Sequence, residues 1–435
     1  MKRINLYVLI FVLLMMSFSC RKEEFSGERP DLRLEQTLTE YQNQLSTAKN
    51  GWKGHLFPSR GGGYGFLFKF DDKNRVNMMA DINAETGAKI KESSFRLKAA
   101  IGPSLYFDTY SYIHILADPN PNFSQGAPGW GRFSDFEFQF LRSTQDTIVL
   151  KGNLLGSELY LVRATAEEEE AYGKGNLNKL AVATEAFVNK NHFPFITTNN
   201  SIVSVKINLL QKTVDFAYVK DDKLESKSVG FAFSGLNELI LSETVEVENL
   251  KIEKLLLDQI TSKITAIDGK EIIMVHNSTD PIIPLTYVLG VQYQSMRVNL
   301  VNLNKGTGID FKNRKDAFVT EGLKALAPGT TFPELRIVFL TSQQLIMAQI
   351  VVKQGNNQFL ANYVFSYVKD GNFYKLNFEG PQNQNGQYLN NAFIPIRDGL
   401  LNGRIEFDYQ LGEEVLSIFG KSDKVSSFKF VGALN

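Results

Sequence analysis

The chain has 435 residues, and its 47 basic side chains balance 47 acidic ones. That neutrality removes the basic field on which nucleic-acid binding depends, and four histidines with a single cysteine stock the chain poorly for a transition-metal site. No nucleic acid and no cofactor are therefore expected, while 43% hydrophobic residues, with 33 Phe and 16 Tyr against 2 Trp, can bury the cores of two or three β-rich domains at about 150 residues each.

In chain order, Lys2 and Arg3 precede an apolar run over residues 6–16, and Cys20 follows in Met16-Ser17-Phe18-Ser19-Cys20. A basic start, an apolar stretch of roughly 7–15 residues and small residues before a cut describe an export signal, whereas a spanning helix needs about 20 apolar residues. Residues 1–19 read as a lipoprotein signal peptide, and Cys20 as the thiol that receives the lipid. Ser17 stands where leucine is commonest in such signals and Phe18 is bulky, a departure that bears on the efficiency of processing. Residues 20–31 are polar and carry Gly27 and Pro30, the composition of a flexible tether. Within them Lys22, Glu23 and Glu24 resemble the Lys and acidic pair that routes lipoproteins of Bacteroidota-type bacteria across the outer membrane to face the exterior. An ordinary solvated tether is the competing reading.

Leu34, Leu38, Tyr41, Leu45 and Ala48 recur at helical steps, and Asn50-Gly51 supplies a left-handed stop, so a short N-terminal helix is expected. From Trp52 the period changes to two. Tyr64, Phe66, Phe68 and Phe70 alternate with Gly65, Leu67 and Lys69, and Asp71-Asp72-Lys73-Asn74 turns the chain into a returning strand at 76–82. Further strands are predicted at 93–99, 105–107, 112–117, 135–141, 147–150 and 158–163, completing an N-terminal β domain over 32–163. At 135–141 the aromatic Phe136, Phe138 and Phe140 alternate with Asp135, Glu137 and Gln139, as an antiparallel sheet with one wet face would require.

Residues 164–192 read as a central helical divider, with Glu167 to Glu170 favouring the positive end of the first helix and Leu177, Leu180, Thr184 and Phe187 continuing on one stripe. A second β domain is predicted over 193–290, with strands at 202–208, 214–219, 229–233, 245–247, 251–256 and 271–275 and a loop at 277–284. A third, over 291–435, carries strands near 296–303, 335–340, 345–353, 363–369, 373–378, 404–409, 415–419 and 428–431, and one helix at 316–326. Tyr64-Gly65-Phe66-Leu67-Phe68 and Gly230-Phe231-Ala232-Phe233-Ser234 both begin alternating aromatic strands, a faint similarity that two unrelated hairpins also produce. The fold class is therefore mainly β: antiparallel sandwich-like units, a short N-terminal helix and the helical divider.

Asn50-Gly51-Trp52-Lys53-Gly54, Gly61-Gly62-Gly63-Tyr64-Gly65-Phe66, Phe107-Asp108-Thr109-Tyr110 with Asp118-Pro119, and Ser134-Asp135-Phe136-Glu137-Phe138 before Leu150-Lys151-Gly152 resemble an uncharacterised family of Bacteroidota lipoproteins. The likeness covers about residues 32–290. In that family the strand commonly begins Gly-Asp-Tyr-Glu-Phe, where this chain has Ser134 and Phe136. Such proteins are similar to accessory lipoproteins found beside SusC/SusD-like nutrient importers. The resemblance implies an outer-membrane location, exposure at the cell surface and a possible transport complex as partner, and it brings no catalytic residues.

Local chemistry adds little. His55, His114, His192 and His276 are scattered without a His-Glu-x-x-His pair, and no Gly-x-Ser-x-Gly elbow exists. Gly61 to Gly65 lead into a strand where a phosphate loop would lead into a helix. Asp71-Asp72 and Asp221-Asp222 lack the spacing of a calcium loop and read as turns. Asp135 and Glu137 lie about 7 Å apart on one strand face, a separation glycosidases also use, though carboxylates two apart on a strand are common. Trp130, in Gly126-Ala127-Pro128-Gly129-Trp130-Gly131-Arg132, is flanked by glycines that leave its ring accessible. With Arg132 it forms the candidate ligand-binding pair for a glycan or a peptide, against the alternative of an indole covering a sheet edge. The expected function is a non-enzymatic, lipid-anchored accessory of a nutrient importer that binds a substrate or partner. The alternatives are an exported hydrolase with an unrecognised site and a structural or adhesive surface protein.

Overall fold

The computed structural model describes residues 30–99, 102–221, 223–412 and 415–435. The signal peptide, Cys20, Lys22, Glu23 and Glu24 lie outside them.

Helix α1 (Pro30–Ser46) leads into eight antiparallel strands, β1 (Trp52–Phe57), β2 (Tyr64–Phe70), β3 (Arg75–Ala80), β4 (Lys91–Ala99), β5 (Pro103–Phe107), β6 (Glu137–Ser143), β7 (Thr147–Gly152) and β8 (Glu158–Arg163). Two one-turn helices, α2 (Tyr112–Ile115) and α3 (Pro121–Ser124), lie between β5 and β6. β1 pairs with β2 through Trp52 and Phe68 and with β8 through Trp52 and Arg163, which closes the strands into a barrel. The predicted alternation explains its interior: Phe66, Phe68, Phe95, Phe107 and Phe138 are buried inside, while Leu67 and Met79, on the outer face, belong to the next core. Tyr41 stacks on Phe140 at 3.8 Å and the Trp52 indole N–H donates to Leu45 O at 3.0 Å, which docks α1 on the barrel.

Helices α4 (Ala166–Gly173) and α5 (Asn176–Lys190) precede an open nine-stranded antiparallel sheet. Its strands are β9 (Phe193–Thr197), β10 (Ile202–Asn208), β11 (Thr213–Lys220), β12 (Lys223–Ser234), β13 (Glu238–Val247), β14 (Leu250–Asp258), β15 (Lys263–Asp268), β16 (Glu271–Met274) and β17 (His276–Ser278), with β17 returning beside β9. Thr165 opens α4 with a reciprocal capping box to Glu168.

After α6 (Leu285–Val288), a second closed barrel comprises β18 (Ser295–Asn299), β19 (Thr330–Leu340), β20 (Leu345–Gln354), β21 (Asn357–Asp370), β22 (Phe373–Pro381), β23 (Ile405–Gln410), β24 (Ser417–Ser422) and β25 (Lys429–Leu434). Three helices are inserted in it, α7 (Ile309–Ala325) after β18, then α8 (Gln384–Tyr388) and α9 (Asn390–Leu401) after β22. Phe311 and Phe318 of α7 join its core, and Phe393 of α9 stacks on Tyr363 at 3.8 Å. Lys206 ties the sheet to this barrel: its ammonium donates to Gln292 O and lies 3.8 Å from the centre of the Tyr293 ring, and burial pushes it down to about 8.

The mainly β, antiparallel expectation holds, with two corrections to its architecture. The sandwich-like units are two closed barrels and an open sheet, because β1 with β8 and β18 with β25 pair across the whole length of their units. The helical segment does not stand apart as a divider, since Tyr172, Leu177, Leu180 and Phe187 share one core with Phe216, Phe231 and Leu255 of the sheet. Two local expectations also change. The strand predicted at 112–117 is the turn of α2, because Ser111 starts it and the His114 ring accepts the Ser111 N–H at 3.1 Å. The third unit has α9 besides α7, although Pro395 lies inside it.

Candidate functional site

The two aromatic motifs of the sequence meet in space. β12 leaves β11 for β13 between Gly230 and Phe231, and at that bend β2 and the loop before it press against it. A Cβ built on Gly65 would stand 1.9 Å from Phe233 O, one on Gly63 2.6 Å from Phe231 O and one on Gly230 2.1 Å from Gly62 O. Backbone lies on backbone here, and only glycine leaves room for it.

The contact buries charge. Asp81, just past β3 and positioned by its N–H to Gly65 O at 3.0 Å, has a side chain only 1% exposed. Its Oδ2 accepts from Lys212 Nζ at 2.8 Å and from the Phe233 N–H at 3.1 Å. Its Oδ1 is buried and has no hydrogen-bond partner among the described residues. Lys212 sits in the turn between β10 and β11 at φ +56°, strained for a side chain of its size, with its ammonium 4.1 Å from the Phe233 ring centre and 5.0 Å from that of Phe231. Burial pushes the Lys212 ammonium below its ordinary pKa and the Asp81 carboxylate pulls it back up. A second polar cluster ties β1 to the sheet and to α4. His55 Nε2 and Ser234 Oγ lie 2.7 Å apart, Tyr172 Oη accepts the Gly235 N–H at 3.1 Å, and Lys53 pairs with Glu168 at 2.5 Å. Ser234 is fully buried, so no substrate reaches its hydroxyl and the His55–Ser234 pair acts as a fastening.

Beside the Asp81–Lys212 pair opens a cleft of about 440 Å³. One wall is the β3–β4 connection from Asp81 to Ala84, joined to α5 by the Asn178 amide donating to Ala84 O at 2.8 Å. Leu177, Ala181 and Val182 of α5 form the second wall, the β10–β11 turn the third, and α3 with Arg132 the fourth. Phe123 and Val182, each 65% exposed, and Leu210, 70% exposed, line the cleft with apolar groups open to solvent. Arg132 Nε donates to Ser124 O at 2.9 Å, which orients the guanidinium. Among the described residues neither Nη has a hydrogen-bond or ion-pair partner.

Of the predicted ligand pair, Arg132 lines this cleft and Trp130 does not. Trp130 is 55% exposed and stacks on Phe133 at 5.9 Å, and the Arg60 guanidinium lies 4.0 Å from the centre of the Phe133 ring. Gly131, at φ +58°, lets the chain double back so that Arg132 N–H reaches Leu116 O at 2.7 Å and the two side chains diverge. Asp135 does not share a wet face with Glu137. It is buried and accepts the N–H groups of Leu154, Leu155 and Ser157, which fixes the β7–β8 turn. Asp71 accepts from the Lys73 and Arg75 N–H groups in a hairpin turn. No group of three or more His, Cys, Asp or Glu side chains among the described residues could hold a metal ion. Sequence reasoning missed Asp81 and Lys212, which no local pattern marks.

Residues 22–259 match the family model described as Domain of unknown function (DUF4302), and no curated protein matches the chain. Among solved structures, the octameric penicillin-binding protein homologue from Pyrococcus abyssi is 7% identical, with a TM-score of 0.16. The match covers 34% of this chain, and the chain spans only 37% of that protein's length. The DNA polymerase sliding clamp from Caulobacter crescentus is 10% identical over 91% of this chain and 96% of its own, with a TM-score of 0.14. Likenesses this slight carry no argument about fold or function. The family match is different, because it spans more than half of the chain and takes in α1, the first barrel and every wall of the cleft: the protein belongs to the DUF4302 family.

Proposed function

We propose that this protein is a lipid-anchored accessory of a Bacteroidota-type cell envelope that binds a substrate or partner of a SusC/SusD-like nutrient importer, with the Arg132 cleft as its ligand site. The cleft carries the reading. A concave site with apolar walls and a few convergent polar groups, within the range of about 300–1,000 Å³ of small-ligand pockets, is the usual form of a binding site, and here it adds a guanidinium whose Nη groups have no partner among the described residues. Attachment is assigned to Cys20 behind the apolar run, and exposure to the exterior to Lys22, Glu23 and Glu24. No helix among the described residues is long and apolar enough to cross a membrane.

Binding is tested by titrating a panel of short peptides and oligosaccharides into wild type and an Ala181→Trp variant, whose indole would fill the cleft from α5. A ligand at a hundred times its Kd stabilises the folded chain by about 2.7 kcal/mol, and Ala181→Trp should abolish that gain. A panel without a single binder, or binders indifferent to Ala181→Trp, would remove the cleft from consideration. For the anchor, Cys20→Ala should move the protein from the membrane fraction to the soluble one, and retention in the membrane refutes lipidation. Protease added to whole cells should cleave the wild type, and protection until the outer membrane is opened places it in the periplasm instead.

A further inference from the structure

We infer that the cleft takes the free C-terminal carboxylate of a short peptide on the Arg132 guanidinium, with an apolar C-terminal side chain against the α5 wall. The inference rests on the reading of the cleft as the ligand site and names what that site selects.

Arg132 is half-buried and permanently charged, one N–H is committed to Ser124 O, and the Nη donors face no partner among the described residues. A guanidinium so placed matches the two oxygens of a carboxylate with parallel hydrogen bonds, and the Nε contact fixes its plane in advance. The other cation of the cleft does not compete, since Lys212 is held by Asp81. Glu185 lies on α5, exposed at the cleft and without an ion pair among the described residues, so the amino end of a peptide whose carboxylate points inward meets a favourable charge there.

The walls decide between a peptide and an acidic sugar. Ile82, Leu177, Ala181, Leu209 and Leu210 are aliphatic, and among the described residues lining the cleft Phe123 is the one exposed ring. Sugars bind by stacking on flat rings and by many polar contacts, whereas aliphatic walls suit a leucine or valine side chain.

Calorimetric titration of the purified full chain with an alanyl-alanyl-leucine peptide, its C-terminal amide and a digalacturonate tests the assignment. The free acid should bind and the amide should bind roughly tenfold or more weakly, the value of losing charged hydrogen bonds. Arg132→Gln should bring the free acid down to the amide's affinity, with Arg132→Lys intermediate. Equal affinity for acid and amide overturns the inference on wild-type protein alone, so it stays testable even where Arg132→Gln misfolds. Preference for the digalacturonate, or unchanged binding in a folded Arg132→Gln variant, overturns it too. In those cases a ligand still sensitive to Ala181→Trp leaves the binding reading standing, and absence of any binder from the wider panel removes both.

Discussion

His55 makes the junction between the first barrel and the sheet sensitive to acid. Its imidazole is enclosed between β1 and β12, and burial first, then the neighbouring Lys53 charge, lower its pKa from 6.5 to about 3. In the unfolded chain the ring titrates near its ordinary value, so between pH 6.5 and 3 the unfolded chain takes up a proton that the folded one refuses. The group therefore contributes nothing adverse at pH 7, and stability falls as the pH drops through this window by about 1.4 kcal/mol per unit. That is about 2 kcal/mol by pH 5 and approaches about 5 kcal/mol at pH 3. The assay is denaturant unfolding at pH 7, 6, 5 and 4, followed by emission of Trp52, which is buried in the barrel, in a Trp130→Phe background that silences the other indole. His55→Gln keeps a hydrogen-bonding group opposite Ser234 Oγ and removes the titration. It should be less stable at pH 7 yet lose far less between pH 6.5 and 4 than its parent. Parallel pH slopes for the two proteins would refute the reasoning, since the Lys53–Glu168 pair and every other acid-sensitive group are common to both.

Asp81→Asn leaves the Lys212 ammonium buried and uncompensated and should cost about 3–5 kcal/mol, whereas the double substitution Asp81→Leu with Lys212→Met should recover most of the loss; a single-variant cost below about 1 kcal/mol would mean the pair does not hold the junction. Gly65→Ala forces a Cβ against Phe233 O and should destabilise by about 1–3 kcal/mol, while Gly173→Ala, whose Cβ would meet no described atom within 4 Å beyond its own helix and chain neighbours, should be neutral or slightly stabilising. Trp52→Ala should cost about 3–5 kcal/mol and Trp130→Ala about 0.5 kcal/mol or less, a ranking set by full burial against 55% exposure and checked by thermal melts of both variants.

The elements legible in the sequence were those whose reason is local. The helical stripe ending at Ala48, the period-two run through Phe66, Phe68 and Phe70, and the acidic start of α4 each declare themselves within a dozen residues. Tyr112-Ile113-His114-Ile115 alternates well enough to pass as a strand, and what decides it is Ser111 with the His114 ring, a contact that periodicity does not register. Barrel closure was illegible because it lies in pairings such as Trp52 with Arg163 and Met296 with Leu434, far apart in sequence. The cleft was legible at one point only. Glycines drew attention to the loop and hence to Arg132, but it lines one cleft with positions 81, 182 and 212 only because β2 crosses β12, and nothing near Asp81 or Lys212 announces that crossing.

That crossing also explains why the junction is polar at its centre. Leu67 and Met79 present an apolar face to the sheet, and an apolar face alone tolerates many docking angles. Asp81 tolerates few, because one oxygen has to meet both Lys212 Nζ and the Phe233 N–H while Gly63 and Gly65 lie against the β12 backbone. The pair so holds the β3–β4 connection to the β10–β11 turn, both of which line the cleft. A ligand that contacts both segments should favour the paired, closed junction over any opened one, and by reciprocity loss of the Asp81–Lys212 pair should weaken that ligand. An Asp81→Asn chain should accordingly bind more weakly although Arg132 is untouched, and its affinity should return when osmolyte restores the closed form.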